Sequence, residues 1–528
     1  MTFNGTLFPY QEDAVNRMVA DQRLLVAFDM GTGKTVLALA ACERLMEDEV
    51  ITRPVLVLTP KSLKYQWAQS VEKFTDSGVL VIDGTPKQRE NQYLSLADWE
   101  VEGIDYVVAN YDQVVNDADL YAVWGAIVVD EATAIKSFRS KRSVTIKKMA
   151  EKSPVKFALT GTPLENGKPE ELFSIMQFVN PQILGEWYAF DSKFIVRNPW
   201  GGIQRYKELD VLHDWLGDSM VRKSSHDPEV APYMPTLVHR DPIKVHISPS
   251  ATTLYNTIRE DLLADLDAVV EMGGGNFDIA AHYGEQDADK ASQADRLRGS
   301  MMSKITALRQ LCDHPDLLRR SAADYRKGEG KGSEYAFFLD DNGLLDKATK
   351  SPKLEFTSQY ISDFLDEDPS YKAVIFSAWV PMLPTIAESL KQYGSVLYSG
   401  DMSAKVRDAN KVQFQSDPDT RIFISSDAGG YGVDLPQANL LLNFSLPWSA
   451  GAYMQRNARI RRASSEWDHV TVQDVIIGGT IEERVFAMLN DKRGIQSAVV
   501  DGIKAEKGGG FTLTAGSLRA FLRDASFA

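Results

Sequence analysis

Leu24-Leu25-Val26-Ala27-Phe28-Asp29-Met30-Gly31-Thr32-Gly33-Lys34-Thr35-Val36-Leu37-Ala38-Leu39-Ala40-Ala41 is the stretch from which the fold can be read. An apolar run, a glycine-bearing loop and a helical pattern follow one another. Strand, loop and helix in that order make a cradle for a nucleoside triphosphate. The loop amides and the helix N-terminus face the phosphates, and glycine lets the backbone come close. Lys34 is expected to bind the β/γ-phosphates, and the Thr35 hydroxyl to bind Mg²⁺. Gly31, Thr32 and Gly33 form the turn itself. The full phosphate-loop pattern has glycine at position 28, where this chain has Phe28. The string therefore needs a partner elsewhere in the sequence.

That partner is Ala126-Ile127-Val128-Val129, which runs straight into Asp130-Glu131. An apolar strand that ends in two carboxylates is the usual second half of such a site. Asp130 is expected to hold Mg²⁺, and Glu131 to orient and deprotonate an attacking water. Alone, the acidic pair would read as a cap on the next segment; beside Lys34 and Thr35 the catalytic reading is stronger. Lys156–Leu159 leads into Thr160-Gly161-Thr162-Pro163, a second strand-to-loop element expected on the same sheet edge.

The first third alternates short, continuously apolar runs with helical patterns. The expected strands are Leu24–Phe28, Pro54–Thr59, Val79–Ile82, Tyr106–Ala109, Ala126–Val129 and Lys156–Leu159. The expected helices are Gln11–Val19, Val36–Met46 and Leu63–Phe74. Runs of this kind suit a parallel sheet covered on both faces, a doubly wound α/β lobe. From about Asn180 helical patterns dominate, at Tyr206–Leu216, Ala251–Met272 and Ala291–Leu311. The gaps include Asn198–Gly202 and Gly273–Gly275, and candidate linkers lie at Asp227–Pro235 and Ser321–Ser351. A second alternating region follows Pro352, with strands at Ala373–Ser377, Ser395–Tyr398, Arg421–Ser425, Asn439–Phe444 and Val470–Ile476. The tail adds a helix at Ile481–Leu489 and a Gly/Lys-rich hinge at Lys504–Gly510.

Composition sets bounds on function. The chain has 528 residues, 44% of them hydrophobic and 25% charged. Two cysteines, Cys42 and Cys312, exclude a disulfide framework and imply a reducing, intracellular setting. Cys312 and His314 form half a metal-site pattern with no further cysteine nearby. No apolar run approaches the roughly 18 residues of a membrane-spanning helix, so no membrane partner is expected. The first residues lack the basic and apolar regions of a secretory leader. The net charge of −15 argues against a uniformly basic surface, but not against a local nucleic-acid groove. Lys136, Arg139, Lys141, Arg142, Lys147 and Lys148 form one acid-free cationic stretch, either a solvated helix face or a contact for phosphates.

Two features of the second half carry chemistry. In Gln455-Arg456-Asn457-Ala458-Arg459-Ile460-Arg461-Arg462, helical spacing would put Gln455, Arg459 and Arg462 on one face. Two guanidinia suit a polyphosphate, as arginine fingers do; the alternative is a basic helix that pairs with acids or touches nucleic acid. Arg461 points elsewhere and takes that second reading. Asp427–Asp434 is glycine-rich and is either a flexible turn or, with Ser425, Ser426, Gly429 and Gly430, a contact for a phosphodiester backbone.

Together these motifs resemble the superfamily-two helicases, and more narrowly the switch/sucrose-nonfermenting family of double-stranded DNA translocases. Phe8-Pro9-Tyr10-Gln11 resembles the adenine-reading glutamine motif, and Asp29–Thr35 the first motif. Thr59-Pro60-Lys61-Ser62-Leu63 with Gln66-Trp67 resembles the nucleic-acid-contacting motif Ia. Leu159–Asn166 resembles the third motif, Ile375-Phe376-Ser377 the fourth and Gln455–Arg462 the sixth. Leu308-Arg309-Gln310-Leu311-Cys312-Asp313-His314-Pro315 resembles a stretch rare outside the family, and it accounts for Cys312 without a metal. Gly479–Val485 resembles a helical brace, and Leu513–Phe521 the short helix that often follows. Three positions depart from the family: Thr133 and Arg461 stand where it usually has His, and Asp434 where it usually has Asn.

The resemblance implies two RecA-like doubly wound parallel-sheet lobes with a mostly helical insertion. Its expected parts are a first lobe at 1–180, helical protrusions at 181–350, a second lobe at 351–480, and a brace and tail at 481–528. It implies ATP and Mg²⁺, with Gln11, Gly31–Thr35 and Gln455 at the nucleotide, and Arg459 and Arg462 acting on the γ-phosphate from the second lobe. Lys61, Ser62, Ser377, Ser425, Ser426, Gly429 and Gly430 are the expected DNA contacts. The expectation is a minimal, monomeric motor on duplex DNA, in the cytoplasm or nucleoid, or in the host cytoplasm if viral. A strand-separating DNA or RNA helicase and an ATP-gated clamp share the same motifs and stay open.

Overall fold

The apolar runs become the strands of two parallel sheets. The computed structural model describes residues 3–117, 123–197, 203–275, 277, 279, 293–328, 332–427, 433–502 and 514–524. The Asn198–Gly202 gap, the Lys504–Gly510 hinge and residues 428–432, with Gly429 and Gly430, lie outside the described residues. The chain divides into two units: residues 1–234 with 493–509, and residues 235–492 with 510–528.

In the first unit the strands are β1 (Arg23–Phe28), β2 (Val55–Thr59), β3 (Val79–Val81), β4 (Tyr106–Asn110), β5 (Ala126–Asp130) and β6 (Val155–Leu159). A short antiparallel pair follows, β7 (Ile195–Arg197) with β8 (Ile203–Tyr206). The last strand of the unit is β9 (Met220–Lys223), and the sheet order is β3-β4-β2-β5-β6-β1-β9, parallel throughout. Continuous apolarity follows from burial on both faces. Leu25 and Ala27 of β1 enter one core with Ile127 and Val129, while Leu24, Val26 and Phe28 enter the opposite core with Val128 and Phe157. Each such side chain contributes about 1.5–3 kcal/mol by leaving water.

Helices α1 (Pro9–Asp21), α2 (Lys34–Glu47) and α3 (Lys64–Phe74) cover the second of these faces, and α4 (Lys141–Ala150) and α5 (Pro169–Val179) cover the first. Proline at the first position suits the start of α1, where an amide hydrogen would have no helical partner. The apolar stripe Tyr10, Ala14, Val15 and Met18 then packs inward.

In the second unit the strands are β10 (Thr236–His239), β11 (Ile243–Val245), β12 (Ala373–Ser377), β13 (Ser395–Tyr398), β14 (Ile422–Ser426), β15 (Leu440–Asn443) and β16 (His469–Ile477). Their order is β10-β16-β15-β12-β14-β13, also parallel. The nine-residue β16 is long enough to pair with β10 at His469–Val472 and with β11 at Val475–Ile477. Beside this sheet, α6 (Pro249–Val269) and α7 (Gln293–Asp313) pack along Leu254, Ile258, Leu262 and Leu266 against Met301, Ile305, Leu308 and Cys312. Further helices are α8 (Pro352–Glu367), α9 (Ala450–Asn457) and α10 (Ile481–Val500), the last of which belongs to the first unit from residue 493 onward.

The eleven expected strands are all present, with no end moved by more than one residue. Strands β7, β8, β9, β10 and β11 were not expected. They are three or four residues long and carry polar or half-exposed positions, so no apolar run marks them. Segment 181–350 is accordingly shared between the units, the division falling at Met234–Pro235, inside the candidate linker Asp227–Pro235. The other candidate linker, Ser321–Ser351, is built instead around the ends of two helices, Pro315–Lys327 and Glu334–Asp341, with Leu339, Leu345 and Ala348 fully buried. The helix expected over Tyr206–Leu216 starts at Leu209, since Tyr206 belongs to β8 and Glu208 has φ 52°.

Candidate functional site

The phosphate loop leaves the carboxyl end of β1, next to β6 and one strand removed from β5, so three loops meet along one sheet edge. Gly31 and Gly33 have φ of 81° and 91°, values that L side chains rarely adopt. A Cβ at Gly33 would also come within 2.4 Å of Gln11 Nε2. The Gln11 amide holds the loop from below: Nε2 donates to the Thr32 carbonyl at 2.9 Å, and Oε1 accepts from the Phe8 amide at 2.9 Å. Tyr10 donates its hydroxyl to the same Thr32 carbonyl. The Thr32 hydroxyl donates to the Asp29 carbonyl at 2.6 Å. Lys34 Nζ bonds to the Phe28 and Asp29 carbonyls, at 2.9 and 3.1 Å. Helix α2 begins at Lys34 with no side chain capping its N-terminus, which leaves its first amides for an anion.

Asp130 ends β5 and is buried. Its Oδ2 accepts from Thr59 Oγ1 at 3.0 Å and from Trp67 Nε1 at 2.8 Å. Burial raises the carboxyl above its ordinary range, while Trp67, Thr59 and the nearby Lys34 ammonium pull it back. The Tyr111 hydroxyl donates to the Asp130 carbonyl and pins the strand end. Glu131 has φ 52° and ψ 61°, the left-handed region, and the chain then coils through Ala132–Ile135. Such a conformation on a glutamate is a local strain that the surrounding fold sustains. Thr133, in the usual place of His, is buried in that turn. The β6 loop closes on the phosphate loop: a Cβ at Gly161 would lie 2.8 Å from Met30 Cγ. The Thr162 hydroxyl beside it is buried without a hydrogen-bond partner among the described residues.

These residues suit ATP and Mg²⁺. A triphosphate needs an uncapped helix start, a glycine turn and an ammonium, and all three adjoin. Magnesium takes hard oxygen donors, often one carboxylate and a hydroxyl with the rest from phosphate and water, which matches Asp130 and Thr35. No cluster of three or more His, Cys, Asp or Glu exists among the described residues, and a site of this kind needs none.

Asp29 has surroundings that nothing in the sequence spacing indicated. Its Oδ1 pairs with Arg222 at 2.6 Å, and Oδ2 accepts from the Ser225 amide and hydroxyl, both at 2.8 Å. Burial alone would raise this carboxyl, but Arg222 and the Ser225 bonds outweigh it and hold it below the usual range. Trp67, Thr59 and Tyr111 were likewise not assigned to Asp130 from sequence.

The second unit corrects the reading of Gln455–Arg462. Helix α9 ends at Asn457, so Arg459 and Arg462 do not share a helical face with Gln455. The chain turns because Ile460 is drawn into the core under β12 and β15, while the Arg459 carbonyl accepts from the Leu435 amide. Arg462 pairs with Asp434 at 2.5 Å, a charge that the usual asparagine would lack. Arg461 donates Nε to the Pro235 carbonyl at 3.0 Å. Arg456 is anchored by Asp427 Oδ1 and the Ser445 carbonyl, both at 2.5 Å.

The expected DNA contacts divide. Lys61 and Ser62 are exposed in the turn between β2 and α3. Ser377, Ser425 and Ser426 are buried. The Ser377 hydroxyl meets Ser445 and the Trp379 backbone, and that of Ser425 donates to the Ser426 carbonyl. They sit at the ends of central strands, and the Ser377 and Ser425 hydroxyls bond within the unit, so burial argues against these serines as contacts for a phosphodiester backbone. The cationic stretch is partly neutralised within the unit, where Lys136 pairs with Glu165 and Arg142 with Asp112, and Lys147 is turned inward to donate to the Ser174 hydroxyl. Cys312 is buried in the helical core, which pushes its thiol well up and accounts for it without a metal.

Two parallel-sheet units, one with a phosphate loop beside an acidic strand end, define a phosphate-loop α/β protein of helicase type. The SNF2-related domain matches residues 10–317 and the helicase conserved C-terminal domain matches 353–464, so the chain belongs to the SNF2-related family. It is 24% identical over 509 residues to the putative ATP-dependent helicase/translocase YwqA of Bacillus subtilis, covering 94% of this chain and 49% of that protein. It is 25% identical over 513 residues to the ISWI chromatin-remodeling complex ATPase ISW1 of Saccharomyces cerevisiae, covering 94% and 41%. The chain thus spans about half or less of the length of these relatives. The fold is similar to that of the Hef helicase domain of Pyrococcus furiosus, with a TM-score of 0.52 at 17% identity over 91% of this chain and 97% of that one.

Proposed function

We propose that this chain is an ATPase stimulated by double-stranded DNA, which couples hydrolysis to movement along the duplex and so remodels DNA or protein–DNA complexes. The observation that supports this most is the convergence of Lys34, Thr35 and a buried, hydrogen-bonded Asp130 on one sheet edge, in a chain of the SNF2-related family. The names of its relatives, a helicase/translocase and a chromatin-remodelling ATPase, agree with it.

On nucleotide binding, Lys34 would exchange its bonds to the Phe28 and Asp29 carbonyls for phosphate oxygens. The first amides of α2 would join it. Thr35 and Asp130 would hold Mg²⁺, which when bound neutralises charge on the phosphates. Trp67 and Thr59 orient the Asp130 carboxylate and favour its charged form against the effect of burial. Glu131 would position the attacking water and accept its proton. Arg459 and Arg462 are the candidates for stabilising the charge on the transferred group. Each cycle would advance the chain along the phosphate backbone, with binding that is salt-sensitive and weakly dependent on sequence.

The test compares ATPase stimulation by duplex DNA, single-stranded DNA and RNA. Strongest stimulation by duplex, with triplex displacement and no fork unwinding, is the expected result. Fork unwinding would replace the translocase with a helicase, and ATP-dependent binding with negligible turnover would replace it with a clamp. Lys34→Ala and Glu131→Gln should each abolish turnover in a folded protein, and full activity in either refutes the site.

A further inference from the structure

The phosphate loop is held from outside itself, by a strand end and by the end of α10. Asp29 is the pivot. Its carbonyl accepts from both Thr32 and Lys34, so the position of Asp29 sets the position of the turn and of the ammonium. Its carboxylate is gripped by Arg222 and Ser225, at and just beyond the end of β9. The Arg222 guanidinium is itself fixed on two edges. NH1 faces Asp29 and donates to the Ala27 carbonyl at 2.9 Å, while Nε pairs with Asp501 at 2.7 Å. Asp501 directly follows α10. It is brought there by packing that does not involve Arg222: Ile495, Val499 and Val500 enter the core with Leu212, Leu216 and Met220, and His213 Nδ1 meets the Val499 carbonyl at 2.9 Å.

From this arrangement we propose that Arg222 is a positioning residue for nucleotide binding, acting through Asp29, and that Asp501 completes the device by orienting its guanidinium. The inference rests on the nucleotide-site reading above. Two physical effects operate. An Asp29 carboxylate without Arg222 is an uncompensated anion beside the triphosphate, and it competes for the Lys34 ammonium. A carboxylate without Arg222 also no longer fixes the backbone on which Lys34 and Thr32 rest. Lysine is a poor substitute, since one ammonium cannot present two edges to two carboxylates. Asp501 thereby becomes part of the support of the phosphate loop.

The experiment measures KM and kcat for duplex-stimulated ATP hydrolysis, and the dissociation constant of a fluorescent ATP analogue. The proteins are the wild-type chain, Arg222→Gln, Asp29→Asn, the double variant and Asp501→Asn. Arg222→Gln and Asp29→Asn should each raise KM and the dissociation constant by about ten-fold or more, with a much smaller change in kcat. The double variant should be no worse than the worse single. Asp501→Asn, which keeps an acceptor but loses the charge, should move the same constants by about two- to five-fold. Losses that multiply in the double variant overturn the inference, as does an unchanged KM in Arg222→Gln or Asp501→Asn. If Arg222→Gln fails to fold, Asp29→Asn and Asp501→Asn decide the matter. A wild-type chain that neither binds nor hydrolyses ATP refutes the proposed function, and the inference with it; an active wild type with insensitive variants refutes the inference alone.

Discussion

Replacing Trp67 by phenylalanine removes one donor from Asp130 and little else. The indole N–H lies 2.8 Å from Oδ2, and the Thr59 hydroxyl donates to the same oxygen at 3.0 Å. A hydrogen bond to a buried charged group is worth about 1.5–3 kcal/mol. At roughly 1.4 kcal/mol per factor of ten, its loss weakens whatever needs an ionised, correctly turned Asp130 by about ten- to hundred-fold. The expected result is a rise of that size in KM for Mg-ATP, with kcat much less affected. The sign of the pH effect follows as well. Burial already raises this carboxyl, and the lost donor favoured the charged form, so the acid limb of kcat/KM should move to higher pH. Trp124→Phe is the matched control, because Trp124 is equally buried in the same unit and its Nε1 has no hydrogen-bond partner among the described residues. Steady-state ATPase assays across pH decide it. If Trp67→Phe and Trp124→Phe behave alike, or the acid limb stays in place, Trp67 does not tune Asp130.

Two further outcomes are expected. Arg462→Ala should cut duplex-stimulated turnover by about 10³-fold while nucleotide affinity stays within a few-fold, and turnover near wild type would refute the assignment of Arg462 to transition-state charge. Lys353 is fully buried between Asp313 at 2.7 Å and Glu482 at 2.6 Å, so Lys353→Met strands two carboxylates and should cost the second unit about 3–5 kcal/mol, seen as a lower urea midpoint. An unchanged midpoint would mean that the triad contributes no net stability.

The central strands were legible because parallel strands covered on both faces must be apolar at every position. Val55–Thr59 and Ala126–Asp130 leave no other reading. The edge strand β9 was not legible, because Met220-Val221-Arg222-Lys223 needs apolar residues at only part of its length. Lys34, Asp130 and Glu131 could be assigned from order along the chain, since the chemistry demands those residue types at strand ends. What orients them could not. Trp67 reaches Asp130 from 63 positions away, and Arg222 reaches Asp29 from 193, and no local pattern encodes such contacts. Serine at a strand end also reads the same whether its hydroxyl faces a groove or the core, which is why Ser377 and Ser425 were misassigned. Helix α9 stops without Gly or Pro, because the pull of the core on Ile460 outweighs the helical propensity of Gln455–Arg462.

The discontinuity of the first unit has a consequence in time. A ribosome delivers residues 1–234 first, then the whole of 235–492, and only then the segment that holds Ile495, Val499, Val500 and Asp501. Until that segment emerges, the first sheet lacks part of one core and Arg222 lacks one of its two carboxylates. An amino-terminal fragment ending near Met234 is therefore an unfinished domain, and supplying residues 493–502 as a separate peptide should help to complete it. The nascent chain therefore completes the support of its phosphate loop only after residues 493–502 have been made, and so after the strands of the second sheet.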